Sequence, residues 1–288
     1  MAAIRNPVEW SYDLLRSTTR HAASIARSLA GTETENLSSL PTVNQIEVSD
    51  IRWAIGKGID DFRACRTDVL MLSLVYPVAG LVLWWTAANY NMLPLLFPLV
   101  AGFALLGPVA AVGLYEMSRQ REQGKDVSWA AAFDVVRSPN FGAIAVLGLV
   151  LLAIFLLWLA TANALYLRFL GPLQPQSASA FLTEVFTTSA GWSMAIDGIG
   201  IGFLFAALVL AISAVSFPML LDRNAGLSAA VVTSVRTVLV NPLPMALWGL
   251  IVAGGLLAGS LPLFLGLIVV VPVLGHSTWH LYRKLVAR

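Results

Sequence analysis

The stretch FGAIAVLGLVLLAIFLLWLATANALY, residues 141–166, decides the fold of this chain. It contains no Asp, Glu, Lys or Arg, and it exceeds the roughly 20 apolar residues that a helix needs to cross a bilayer. Three further windows without charged residues lie at 69–115, 198–221 and 237–282. The sequence therefore predicts an all-α, polytopic integral membrane protein.

Six transmembrane helices fit into these four windows at about 20 residues per helix. The first window is interrupted at Asn89-Tyr90-Asn91 and the last at Gly259-Ser260, and both interruptions are typical of turns. We predict spans near 69–89, 93–117, 141–166, 198–221, 242–259 and 261–281.

Basic residues orient these spans. All of the 18 Lys and Arg residues except Arg168 fall in segments that the six-span topology places on one side. An excess of Lys and Arg marks the cytoplasmic side of membrane proteins. We therefore predict a multi-pass protein in the lipid bilayer, with its N- and C-termini in the cytoplasm.

Composition and motifs exclude several functions. The chain is 58% hydrophobic and 12% charged, whereas soluble domains are about 25% charged. A net charge of +2, dispersed along the chain, does not favour binding to nucleic acid. Cys65 is the single cysteine, and no G-x-S-x-G, P-loop or dinucleotide-binding motif occurs. We predict neither an enzyme nor a nucleic-acid partner.

The chain divides into a tail and a membrane domain with an internal pattern. Residues 1–47 are predicted to form a cytoplasmic tail, for which an amphipathic helix and a disordered segment are both open. Residues 48–288 are predicted to be the six-span domain. Short segments with an apolar stripe precede spans one, three and five, at 51–68, 127–140 and 227–241. This pattern predicts three repeats of an interfacial amphipathic helix plus a two-span hairpin, although separate packing requirements at the membrane surface could also produce it.

Ionisable residues collect where the spans are predicted to reach the cytoplasm. We call Glu116, Asp222, His276, His280, Arg137 and Arg236 the predicted polar cluster. His276 and His280 are four residues apart on one helix face, a spacing that can hold a metal ion or the edge of a haem. We nevertheless predict no cofactor and no metal, because two histidines are an incomplete ligand set.

The same cluster has two other interpretations. Its members can form structural ion pairs, of Glu116 with Arg119 or Arg137 and of Asp222 with Arg223 or Arg236. They can also form a site for an anion or a lipid headgroup, since ionisable groups at span ends are candidates for function. We expect the structural pairing.

Several motifs resemble those of a family of bacterial integral membrane proteins. They are Leu95-Leu96-Phe97-Pro98-Leu99, Gly107-Pro108, Gly113-Leu114-Tyr115-Glu116, Ser216-Phe217-Pro218, Leu221-Asp222-Arg223, Asn241-Pro242, Pro244-Met245-Ala246-Leu247-Trp248-Gly249, Pro272-Val273-Leu274-Gly275-His276 and Thr278-Trp279-His280. The resemblance runs from about Ile51 to Arg288. The family has no known function, some of its members carry the label of cytochrome c oxidase subunit I, and the resemblance implies a location in the bacterial inner membrane.

A count of histidines tests the oxidase label. The metal centres of such an oxidase need about six histidine ligands, and this chain has 3 histidines. The chain is therefore not predicted to be a catalytic oxidase subunit. The resemblance instead implies an accessory or assembly partner of a larger membrane complex, such as a respiratory one. The alternative is a channel or carrier for a small neutral or lipid-like solute, because prolines that bend spans free backbone carbonyls.

Overall fold

The computed structural model describes residues 40–89, 92–172, 175 and 177–287. The predictions for residues 1–39 of the tail lie outside the described residues. Within the described residues the chain is helical, apart from its connecting segments and an isolated antiparallel bridge between Val43 and Val286.

The α-helices follow one another with short connections. They are α1 (Val48–Ala64), α2 (Arg66–Ser73), α3 (Val75–Asn89), α4 (Leu96–Leu105), α5 (Gly107–Ala110), α6 (Val112–Glu122), α7 (Phe141–Phe169), α8 (Ala178–Thr187), α9 (Ser189–Ser213), α10 (Ser216–Asp222), α11 (Leu227–Val240), α12 (Pro242–Ser260) and α13 (Leu267–Leu285). Short 3₁₀ helices lie at Leu93–Leu95 and Trp129–Arg137.

Four helical runs are long and apolar enough to cross a membrane. They are Thr67–Thr86, Phe141–Phe169, Ser189–Asp222 and Pro242–Ser260. Only 17% to 33% of the residues in their apolar windows are buried within the protein, so most of these side chains face outward, as contact with lipid requires. The runs correspond to predicted spans one, three, four and five, and the fourth begins at Ser189 rather than at 198 because its helix includes the end of the predicted outer loop.

Prolines explain why several spans are interrupted. Proline lacks an N–H group, and its ring clashes with the carbonyl four residues earlier. The helical runs break just before Pro77, Pro108 and Pro218, at Leu74, Leu106 and Ala214-Val215. The segment predicted as span two, 93–117, is therefore a succession of shorter helices, α4 to α6.

The segment predicted as span six also differs from a single helix. Residues 261–266 form a turn, and α13 begins at Leu267. Leu263 and Phe264 have φ angles of 53° and 64°, a left-handed conformation that is uncommon for residues other than glycine. The ring of Phe264 lies so close to α3 that a Cβ atom on Gly80 would come within 2.5 Å of it. Glycine at position 80 therefore permits the turn to pack on α3.

α6, α10 and α13 contact one another where they end, which we call the polar end. The largest fully buried side chains among the described residues include Trp248, Trp279, Tyr282, Phe217 and Ile51. Three segments lie along these helices through small residues. α1 packs on α13 with Gly58 against Ser277, the 3₁₀ helix Trp129–Arg137 packs on α6 with Ala132 against Gly113, and α11 packs on α10 with Ala230 against Ser216. Small residues permit this close approach of helix backbones.

The segment before α1 closes against the C-terminal end of α13. The Asn44 N–H donates to the Leu285 carbonyl at 2.8 Å. The side chain of Asn241, at the start of α12, accepts from the Ile46 N–H at 2.8 Å and donates to the Asn44 carbonyl at 3.0 Å. The packed part of the chain thus begins a few residues before the boundary predicted at residue 48.

Candidate functional site

The structure divides the predicted polar cluster into two groups. Glu116, Asp222 and Arg137 line one cavity, whereas His276 and His280 belong to a buried network around Asp61. Arg236 lies apart from both groups. It is exposed on α11 and has no ion pair with any residue that the structure describes.

The buried network around Asp61, which we call the Asp61 network, consists of Asp61, Ser118, Arg121, His276 and His280. The Asp61 carboxylate is 4% exposed and accepts hydrogen bonds from Ser118 Oγ at 2.6 Å and His280 Nε2 at 2.8 Å. The guanidinium of Arg121 pairs with the second carboxylate oxygen. Because these partners come from α6 and α13 while Asp61 lies on α1, one carboxylate joins three helices.

The hydrogen bonds keep this carboxylate charged. Burial alone would raise the pKa of Asp61. The hydrogen bonds from His280 and Ser118 lower this pKa by more than burial raises it. The resulting pKa lies below the ordinary value of 3.8. The side chain is therefore ionised at neutral pH, as a buried carboxylate with several donors should be.

His276 extends the network into the protein. Ser118 Oγ has one proton, which it donates to Asp61, so its 2.8 Å contact with His276 Nδ1 requires a proton on that nitrogen. The Nε2 atom of His276 is buried and has no hydrogen-bond partner among the described residues. In hydrolase triads the histidine lies between serine and aspartate, whereas here the serine lies between them and is 1% exposed. This arrangement stabilises packing and does not present a nucleophile.

The two histidines face different hydrogen-bond partners. Among the described residues, no group of three or more His, Cys, Asp or Glu side chains has the geometry to hold a metal ion. His280 Nε2 faces Asp61, and His276 Nδ1 faces Ser118. The spacing of four residues therefore serves two different hydrogen bonds.

Glu116, Asp222 and Arg137 line what we call the charged cavity, a space of about 410 Å³ at the polar end. It lies between α6, the 3₁₀ helix Trp129–Arg137, the start of α7 and the end of α10. Its lining residues are Glu116, Arg119, Gln120, Lys125, Asp134, Arg137, Ser138, Pro139, Asn140, Leu220, Leu221, Asp222, Arg223 and Asn224.

Glu116 and Asp134 bind donors on one wall of the charged cavity. Glu116 is 1% exposed and accepts from Arg119 Nε at 2.8 Å, Arg119 Nη2 at 2.7 Å and Gln120 Nε2 at 2.8 Å. Asp134 accepts from Gln120 at 3.0 Å and from Arg137 at 2.9 Å. The hydrogen bond to Glu116 raises the pKa of Arg119. Of the two partners expected for Glu116, the structure selects Arg119.

Asp222 binds donors on the opposite wall. It accepts from the Tyr282 hydroxyl at 2.7 Å and from Arg283 Nη1 at 2.8 Å, while Arg223 Nε lies 3.7 Å away. Arg283 also donates to Glu122 at 2.8 Å. The main cationic partner of Asp222 is therefore Arg283, which was not among the partners expected from the sequence.

Asn140 fixes the rim of the charged cavity. Its side-chain amide donates to the carbonyls of Leu220 at 2.8 Å and Arg223 at 2.7 Å. Carbonyls at a helix C-terminus lack partners within the helix, so this side chain satisfies groups that α10 leaves free. Asn140 therefore holds the end of α10 to the start of α7.

The sequence analysis missed Asp61, Ser118 and Arg121. A signal for Asp61 was present, because it continues the buried face of α1 that Ile51, Ala54 and Gly58 begin. An acidic residue in the register of an apolar stripe indicates a buried partner. Nothing in the sequence identified that partner, since α1 and α13 lie at opposite ends of the membrane domain.

Comparison with known proteins gave one match, which covers part of the chain. Residues 96–222 match a family model. The family is DUF2189, described as a predicted integral membrane protein. Its function is unknown, and neither curated proteins nor solved structures gave a match. The DUF2189 match runs from α4 to α10, so it includes Glu116, Arg137 and Asp222 but not the histidines of α13.

Proposed function

We propose that this integral membrane protein is a non-catalytic accessory or assembly partner of a larger membrane complex, with a respiratory complex as the first candidate. We place it in the bacterial inner membrane with six spans and both termini in the cytoplasm. In this topology α4 to α6 form the second span, the turn at 261–266 and α13 form the sixth, and the polar end faces the cytoplasm.

The packing of the polar end supports three repeated units in this proposal. In sequence order, the 3₁₀ helix Trp129–Arg137 follows α6 directly and α11 follows α10 directly, so their packing is local. α1 packs on α13 in the same manner, although the whole membrane domain separates them in sequence. The bonds of Asn44 and Asn241 give this distant pair a junction that resembles the two local ones. Three equivalent units arranged in a ring would produce this set of contacts.

One observation carries the non-catalytic assignment. The carboxylates of Asp61, Glu116 and Asp222 are each bound by Arg or His side chains from the same chain. A catalytic or ion-coupling carboxylate must exchange protons or ligands, which such saturation opposes. Carboxylates that are bound in this way stabilise the protein. We therefore propose that the protein acts through its interactions with other proteins.

Gentle extraction from native membranes tests the accessory role. The protein would be captured through a tag that follows Arg288, and the eluate would be examined by mass spectrometry and by haem absorption. The control is a parallel capture from membranes in which the same protein carries no tag. Membrane-complex subunits in constant ratio to the protein are the expected result. A colourless protein without partners in the tagged sample would refute the assignment.

A channel or carrier for a small neutral or lipid-like solute is the second candidate. The helix breaks before Pro77, Pro108 and Pro218 support it, because a proline leaves the carbonyl four residues earlier without its helical donor. Irregular backbone at membrane depth is tolerated where it lines a cavity. Proteoliposomes that contain the protein alone should then release a neutral solute such as glycerol faster than empty liposomes do. Equal rates would remove this candidate.

A further inference from the structure

We propose that the charged cavity binds a phosphate group, either of a lipid headgroup or of a free anion. This phosphate site does not depend on the proposed accessory role. The accessory role concerns protein partners, and the extraction of the tagged protein tests it separately. The inference follows from the balance of donors and acceptors in the cavity, from the helix that opens into it and from its depth.

The charged cavity is lined by four cationic side chains, Arg119, Lys125, Arg137 and Arg223, and by three carboxylates, Glu116, Asp134 and Asp222. Each of these carboxylates already accepts at least two hydrogen bonds from side chains of the protein. Arg137 is 86% exposed and uses one nitrogen, to Asp134, so most of its N–H groups are free. Lys125 also lines the cavity and has no ion pair with a described residue. A ligand that fits this site must accept hydrogen bonds and carry negative charge.

The orientation of the flanking helices adds to this preference. Ser138, Pro139 and Asn140 line the cavity at the N-terminus of α7, a helix of 29 residues. The N-terminal end of a helix carries positive partial charge and favours anions. The opposing partial charge at the C-terminus of α10 is neutralised by the hydrogen bonds from Asn140. The N-terminus of α7 therefore favours an anion, and the hydrogen bonds from Asn140 weaken the opposing effect of α10.

Phosphate has the charge and the acceptor oxygens that these features require. Arginine N–H groups match phosphate oxygens in pairs, and lysine adds a point charge. The cavity also lies where α6 and α10 end, and Leu220 and Leu221 form part of its wall. In the proposed topology this is the depth of phospholipid headgroups, so a lipid phosphate has a direct route to the site.

Thermal unfolding of the purified full chain in a neutral detergent tests the proposal. One arm adds inorganic phosphate and compares it with sodium chloride at equal ionic strength. The other arm adds phosphatidic acid and compares it with diacylglycerol of the same acyl chains, so that only the phosphate differs. A higher unfolding temperature in the first arm identifies a free anion as the source, and a rise in the second arm identifies a lipid.

Variants connect that effect to the charged cavity. The double variant Lys125→Gln/Arg137→Gln should bind about tenfold more weakly, because both side chains are exposed and solvent screens their contacts with a ligand. Arg236→Gln is the matched control, because Arg236 is exposed at the same end and lies outside the cavity. If the double variant does not fold, Lys125→Gln alone should weaken binding by about threefold. The proposal is overturned if neither phosphate source raises the unfolding temperature, or if Arg236→Gln weakens binding as much as the cavity variants.

Discussion

Replacing Asp61 by asparagine removes one charge from a site that joins three helices. Two of its partners are well buried, because Ser118 is 1% exposed and the His280 side chain is 14% exposed. Ser118 and His280 donate to the same carboxylate oxygen, so an asparagine oxygen can keep both partners. Each hydrogen bond then weakens from about 1.5–3 kcal/mol, for a charged acceptor, to about 0.5–1.5 kcal/mol, for a neutral one. The Arg121 side chain is 39% exposed and adds little after solvent screening. With the cost of the amide group facing other donors, we expect Asp61→Asn to lower the free energy of unfolding by about 3 kcal/mol.

The measurement is unfolding by sodium dodecyl sulfate in mixed micelles, followed by far-ultraviolet circular dichroism and tryptophan fluorescence. The neighbouring residue provides the control. Asp60 is on the same helix, its side chain is 53% exposed, and its contact with Lys57 is 3.8 Å. Asp60→Asn should change the free energy of unfolding by less than about 0.5 kcal/mol. Equal losses for the two variants would show that the Asp61 network does not hold the helices together.

Three further predictions concern the same helices. Because the folded-state pKa of Asp61 lies below 3.8, its stabilisation should be complete above that pH and disappear as the pH falls through the folded-state pKa. The difference in unfolding free energy between the wild type and Asp61→Asn should shrink as the pH falls across this range. A difference that grew on acidification would contradict the lowered pKa of Asp61. Gly58→Ala should destabilise by about 1–3 kcal/mol, because the new Cβ would lie 2.6 Å from the Ser277 nitrogen, whereas Gly56→Ala meets nothing within 4 Å and should stabilise by about 0.5–1 kcal/mol in the same assay. Asn241→Ala should cost about 2 kcal/mol and speed hydrogen exchange at the Ile46 amide, and unchanged exchange would show that this bond is not formed.

The sequence predicted the apolar helices well where hydrophobicity alone determines them. Phe141–Phe169 and Pro242–Ser260 begin at the residues expected, and Pro242 occupies the start of its helix, where a missing N–H group is tolerated. These features depend on neighbours in sequence, which a reader of the sequence can see.

The interruptions and the partners of charged residues were harder to predict. Pro77 had the same effect as Pro108 but was not recognised, because it follows a run that reads as uniformly apolar. Asp222 had plausible partners nearby in sequence, yet Arg283 binds it from α13. Of the predicted polar cluster, Glu116, Asp222 and Arg137 line the charged cavity, whereas His276 and His280 belong to the Asp61 network and Arg236 lies apart from both. The predicted depth of these residues in the membrane indicated that they lie at a common level. Depth does not specify which side of a helix faces which neighbour.

The junction between residues 42–46 and the end of α13 has a consequence for biosynthesis. A ribosome makes α1 before α13, but the surface that α1 covers is completed only when α13 has formed. Until then, the buried face of α1, including Asp61, has no partner from that helix, and α1 remains at the membrane surface without it. The Ala287 N–H also bonds to the Thr42 carbonyl at 3.0 Å. A fusion partner attached at the C-terminus therefore needs a flexible spacer, because one joined directly would compete with the last step of assembly.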